Sequence, residues 1–229
     1  RPMGRDASIG GILPAWLGRG GALTGPNVNL RNLAWIGIAV LALWRAWGQW
    51  SLRPIEPGDG ELAPDDPVQT SLEDPPDIVI DRWTLTPRAA YDITARVLSR
   101  EDYRFDPIAS LTPMDLALGW GAMSDSQVLS AFEISQDARF YSWRPVAAST
   151  PIATREVIRH SANTHVIPAN ATVASQLDRV RRGGEVVHLT GMLVDGRRDD
   201  GMTIRTSLTR TDSGAGACEV LLVQDVEIL

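Results

Sequence analysis

The sequence predicts a mainly β, α+β fold, in which a single N-terminal transmembrane helix carries a small, partly closed β-barrel-like domain of OB or SH3 type. Three observations predict it. The 229-residue chain has one long uncharged apolar run, Leu33 to Trp44, near its start. From residue 82 onward, apolar and polar residues alternate between Gly- and Asp-rich turns, the period of half-buried strands. Between the two, Pro54 to Asp81 is acidic and proline-rich, with no basic residue. The chain therefore divides into an irregular Gly-rich segment 1–32, a transmembrane helix 33–52, an acidic linker 53–81 and a β-rich extramembrane domain 82–229.

Composition narrows the function classes. Apolar residues make up 44%, enough for a real core and against global disorder. The net charge of −6, with all 22 basic residues arginine, argues against a dedicated nucleic-acid binder. One cysteine, Cys218, excludes a disulfide framework and any multi-cysteine metal site.

The first segment, Gly10 to Leu23, is apolar but broken by glycines and Pro14. It reads as an interfacial or partner-bound stretch with Trp16 and Leu17 as anchors. The helix extends from Leu33 through Leu52, twenty residues and roughly 30 Å, the thickness of a bilayer core. Trp35 lies near its start, and Trp44, Trp47 and Trp50 gather at its end, where amphipathic rings favour the headgroups. Arg45 can snorkel outward from one turn inside. Arg1, Arg5, Arg19 and Arg31 precede the helix, whereas only Arg53 follows before Arg82. The positive-inside rule then places the N-terminus in the cytoplasm of a bacterial cell, the helix in the inner membrane and the domain in the periplasm. The competing readings are a buried core helix and a signal peptide, the latter with a poor cleavage site around Arg45.

The linker holds nine acids and six of the fifteen prolines between Pro54 and Asp81. Such chain is extended and has no core of its own. Fixing it costs about 1–2 kcal/mol of backbone entropy per residue, so its order would demand contacts with other chains.

In the domain, Tyr91 to Val97 alternates as a strand and Arg139 to Trp143 forms a second. Glu185–Val194, Met202–Arg210 and Ala217–Val223 predict an antiparallel meander, with turns at Asp195-Gly196, Asp200-Gly201 and Asp212 to Gly216. Asn170 caps a helix whose Val173, Leu177 and Val180 form an apolar stripe, ended by Gly183-Gly184. A shorter helix covers Asp125 to Ala131.

Three strings are distinctive: Leu111 to Asp125 (LTPMDLALGWGAMSD), Ser161 to Ala169 (SANTHVIPA) and Ser207 to Glu219 (SLTRTDSGAGACE). On these, residues 83–229 resemble uncharacterised bacterial single-pass membrane-anchored proteins, a resemblance that implies no activity. Anchor and domain together are similar, more faintly, to an accessory subunit of a bacterial photosynthetic reaction-centre–light-harvesting complex.

Chemistry-bearing residues are few. No P-loop, G-x-S-x-G or G-x-G-x-x-G frame is present. His160 and His165 have the wrong spacing for two ligands on one helix face, and a metal site joining them to His188 competes with three separate structural histidines. Cys218 with a histidine elsewhere is one signature of a thiol enzyme, against which stands the small buried cysteine of an ordinary strand. Ser207, Thr209, Arg210, Asp212 and Glu219 form a candidate ligand turn, in which an Arg210–Asp212 ion pair would pin the loop and an arginine beside hydroxyls would suit phosphate or carboxylate. Asp115 and Asp125 flank the Gly119-Trp120-Gly121 turn, with amides to bind, and Trp120 is either a docking anchor or a core residue. The expectation is a non-catalytic accessory subunit of an inner-membrane complex, without catalytic, metal or cofactor residues of its own. It would contact other integral membrane subunits and the bilayer through Trp16, Leu17, Trp35, Trp44, Arg45, Trp47 and Trp50, and any pigment or lipid would lie at the helix. The alternative is a membrane-anchored periplasmic enzyme or ligand-binding domain using the turn around Arg210.

Overall fold

A computed structural model describes residues 30–211, 214 and 216–229. Trp16, Leu17 and Asp212 lie outside the described residues. The described residues divide into two units, one ending at Arg45 and the other running from Ala46 to Leu229.

Helix α1 runs from Leu30 to Ser51, 22 residues. It corrects the predicted fold class and the transmembrane assignment of 33–52, because among the described residues no helix is long and apolar enough to cross a membrane. The uncharged run Leu33–Trp44 covers only twelve residues, about 18 Å of helix against about 30 Å of hydrocarbon. The remainder carries Arg31, Asn32, Arg45 and Gln49, and its tryptophans suit an interface better than the bilayer centre. The fold is mainly β, 40% strand and 21% helix, with a partly ring-like sheet.

The acidic segment after α1 bonds to the folded part of its own chain. Ile55 N donates to Gly183 O at 3.0 Å, and Gly121 N donates to Ala63 O at 2.7 Å. Ala63 N donates to Ser124 Oγ at 3.1 Å, and Ala63 is 1% exposed. Gly184 makes the docking of Ile55 possible: its φ is +92°, and a Cβ there would stand 2.0 Å from Ile55 O. The segment then contributes β1 (Val68–Ser71) and β2 (Ile78–Ile80), both antiparallel to β3 (Trp83–Asp102). Proline removes donors and fixes φ, and the segment is tied down through the N–H groups of its non-proline residues together with carbonyls that accept.

After β3 come β4 (Met114–Gly119), α2 (Ser126–Leu129), the hairpin β5 (Phe132–Asp137) and β6 (Phe140–Pro145), α3 (Thr154–Arg159) and β7 (Ser161–Pro168). Then follow α4 (Ala171–Leu177), β8 (Val186–Arg198), β9 (Thr203–Ile204) and β10 (Glu219–Ile228). Five strands close a ring. β3 pairs with β4, β4 with β7, β7 with β10, β10 with β8, and β8 returns to β3. Only the β7–β10 pair of this ring is parallel. The interior is apolar, with Tyr91, Ile93, Leu116, Leu118, Val166 and Leu189 all buried. Gly191 lets β8 bend against β10 at its bulge, since a Cβ would sit 2.0 Å from Leu222 O.

The antiparallel meander is also corrected. Its middle strand shrinks to β9, and β10 lies directly on β8. Residues after Ile204 form no continuous ladder: beside one backbone bond from Ser207 N to Cys218 O, Val220 N donates to Thr206 Oγ1 at 3.0 Å and Thr206 N to Asp195 Oδ1 at 3.1 Å. Helix α4 starts as its sequence indicates, with Asn170 Oδ1 accepting from Thr172 N and Val173 N, and it buries Val173 and Leu177.

Candidate functional site

Strands β4, β7 and β10 lie side by side, and their register builds the most chemically suggestive cluster. Asp115 of β4 is directly opposite His165 of β7, which is opposite Val220 of β10. Strand alternation sends Leu116, Leu118 and Val166 into the ring. Asp115, Asn163 and His165 therefore share the other face. Cys218, two residues before Val220, joins them.

The buried carboxylate is the hub. Asp115 is 0% exposed, and its Oδ1 accepts from Arg139 at 2.8 Å and lies 2.9 Å from His165 Nδ1. Asp115 Oδ2 has no hydrogen-bond partner. Burial alone would push the His165 pKa down, but the hydrogen bonds and charges of Asp115 and Cys218 outweigh it and raise the value to about 9. Asn163 Nδ2 donates to Arg139 O at 3.0 Å and lies 3.6 Å from Cys218 Sγ. Gln136 Nε2 fixes the other end of that amide, donating to Asn163 Oδ1 at 2.8 Å.

Arg139 sits at the β5–β6 turn with φ of +71°, after Ala138 at +48°. Two successive positive φ values match the twist of a tight hairpin. Non-glycine residues hold such a conformation only where their surroundings impose it, and here they do. The Arg139 guanidinium donates to Thr112 Oγ1, Asp115 and Asp106, and lies 3.6 Å from the Tyr103 ring centroid. Its backbone N donates to Tyr103 Oη at 3.0 Å.

Cys218 is half-buried and lines a cavity of about 130 Å³ with Phe140, Tyr141, Trp143, Ser161 and Asn163. Burial raises the Tyr141 pKa to about 12, although Ser161 opposes this, so the phenol stays neutral.

The turn around Arg210 is built differently. Arg210 bonds to Glu219, which is 1% exposed, and donates to Gln69 Oε1 at 3.0 Å. Its guanidinium lies 5.4 Å from the Tyr91 ring centroid. Thr209 N donates to Ser207 Oγ at 3.1 Å, and Ser207 N donates to Cys218 O at 2.9 Å. Ser207, Thr209, Arg210 and Glu219 thus come together, bonding to one another and to the sheet.

The remaining candidates disperse. His160 lies 3.9 Å from Asp66 and 3.7 Å from Glu156, while His188 Nε2 is 2.9 Å from Asp92. Each histidine has its own carboxylate in a different place. Among the described residues no group of three His, Cys, Asp or Glu converges as metal ligands do. Asp125 caps α2, accepting from Gln127 N, and also accepts from Gly60 N. Trp120 is buried, its indole N–H donating to Asp66 at 3.2 Å. On α1, Trp35, Trp44, Trp47 and Trp50 are exposed and Arg45 with them.

Sequence reasoning singled out His165 and Cys218 but did not join Asp115 or Arg139 to them. The signal lay in the three distinctive strings, each of which supplies one member: Asp115, His165 and Cys218. No family model, no curated protein and no solved structure matches the chain.

Proposed function

We propose that the protein is an accessory subunit of a bacterial inner-membrane assembly, docked through α1 against apolar helices of other subunits. One observation carries this reading: α1 exposes large apolar side chains around most of its circumference. Ten large apolar side chains between Leu33 and Trp50 are exposed, among them Trp35 at 64%, Leu43 at 69% and Trp44 at 72%. At 100° per residue, Trp35, Ile36, Val40, Leu41 and Trp44 point around most of the helix. A helix apolar on all sides is normally buried, and exposed apolar surface of this extent marks an interaction site. Covering a large apolar side chain yields about 1.5–3 kcal/mol, so ten exceed the usual cost of association. The sequence resemblance supports an assembly of the photosynthetic reaction-centre kind. The acidic segment adds no support, because its contacts are made within its own chain.

The test places a photo-crosslinking residue at Val40 or Leu43 of the full chain in its native host. A discrete cross-link to another subunit, and loss of co-migration with a large complex when Trp35, Trp44 and Trp47 become serine, is the expected result. Cross-links to lipid alone, or only to a second copy of the chain, would overturn the docking.

A further inference from the structure

We propose that Cys218 is a nucleophilic thiol that accepts a short acyl group from an activated ester or thioester, with His165 taking its proton and Asp115 positioning His165. Four observations carry this. Strands β4 and β7 and the residue that leads into the adjacent β10 deliver carboxylate, imidazole and thiol to one face, in the order of the group that orients the base, the base and the nucleophile. The sulfur is at a cavity wall rather than sealed in a core. The fully buried carboxylate keeps one oxygen without a partner. Arg139 is held with a positive φ by contacts to the same carboxylate. A purely structural ion cluster gains little over apolar packing of equal volume and has no need of a sulfur facing open space.

The cavity selects the acyl group. A dry cavity of about 150 Å³ takes up benzene, so about 130 Å³ suits a chain of a few carbons. Phe140, Tyr141 and Trp143 offer apolar walls to such a chain, which a peroxide would not use. Asn163 Nδ2 beside the sulfur is a fixed donor where negative charge on an acyl oxygen would develop. In the step, with the thiol proton already resting on His165, the sulfur bonds to the carbonyl carbon of R–CO–X and the carbonyl π pair moves onto its oxygen. The C–X bond then breaks and X leaves with the proton from the imidazolium, giving Cys218–S–CO–R and HX. Water attacking the thioester returns the thiol and R–COOH.

The experiment treats the purified full chain with p-nitrophenyl butyrate. The expected result is a burst of one p-nitrophenol per chain and one butyryl group on the peptide containing Cys218. The burst is absent in Cys218→Ser, and in His165→Asn acylation slows at least about 100-fold. Asp115→Asn acts only through His165 and should move the pH dependence of the rate, not merely its height. The groups facing His165 are Asp115, Arg139 with Asp106 and Tyr103 behind it, and Cys218, so the wild-type profile belongs to this set. Iodoacetamide alkylation of the wild type needs no variant: reactivity persisting well below the ordinary thiol range supports the proposal. An ordinary thiol profile, a burst retained in Cys218→Ser, or butyryl on another residue overturns it.

Discussion

Cys218 and Glu219 are neighbours in sequence and face opposite sides of the same sheet. Each face is served by an arginine from a turn lying over a tyrosine ring, Arg139 on Tyr103 and Arg210 on Tyr91. On the Glu219 side the arginine meets the buried acid directly and Gln69 fills the guanidinium's remaining reach. On the Cys218 side the acid is shared between Arg139 and His165, and a cavity opens beside Cys218. The same architectural device is thus used once to close a barrel and once to hold an imidazole beside a thiol. A buried arginine–carboxylate pair is not itself a functional signal. What distinguishes the two faces is an imidazole sharing the acid on one of them, next to a cysteine that lines a cavity.

The largest expected effect comes from breaking the closed side. In Glu219→Ala, Arg210 stays partly buried over Tyr91 without its acid, and removing one partner of a buried pair costs about 3–5 kcal/mol. Denaturant titration should show that loss, carried by the midpoint and not the slope. In the fraction still folded, Cys218 should keep its alkylation rate, because strand alternation turns its side chain away from that of Glu219. Joint loss of stability and thiol reactivity would show that the faces are one network.

A smaller effect sharpens the open side. The folded His165 pKa, about 9, lies above the ordinary 6.5. A raised pKa means that the folded state binds the proton more tightly. Its stabilising contribution is therefore complete below pH 6.5 and disappears as pH rises through 9. Unfolding free energy of the wild type should fall by roughly 2–3 kcal/mol across that window, and His165→Asn should remove most of the slope. A wild-type curve flat over this range would mean that Asp115 does not hold the imidazolium.

How much of this was legible depends on whether a strand has one wet face. Tyr91 to Val97 alternates because its outer side is half open, and it falls within β3. The α4 cap and stripe were readable because Asn170, Val173 and Leu177 act within a few residues of one another. β4 was not readable: Met114 to Gly119 is buried at every position, and a strand covered on both faces loses the two-residue period. The acidic segment misled for another reason. Its composition reads as tether, yet Ile55 N donates to Gly183 O, Ala63 O accepts from Gly121 N, and Pro57 O accepts from Ser126 Oγ at 3.0 Å. Cys218 and His165 could be listed from the sequence as single residues. Joining them to Asp115 required the β4–β7 register, in which a one-residue slip would send Asp115 into the ring.

The smallest effect serves as the control for both faces. Asn170 satisfies two backbone donors at the start of α4, at 2.9 and 3.0 Å, and α4 lies between the ring strands β7 and β8 in sequence. It packs against β7 and β10, and Arg100 Nη1 of β3 donates to Leu177 O at its far end. Asn170→Ala should cost about 1 kcal/mol, the usual value of an N-cap, and leave the slope between pH 6.5 and 9 unchanged. Thiol alkylation in the folded state should stay within error of the wild type. This outcome separates a uniform loss of fold stability from a specific change at either face. If the cap variant instead slows Cys218 as much as His165→Asn does, the reactivity follows global stability, and the asymmetry between the two sides of β10 has no chemical content.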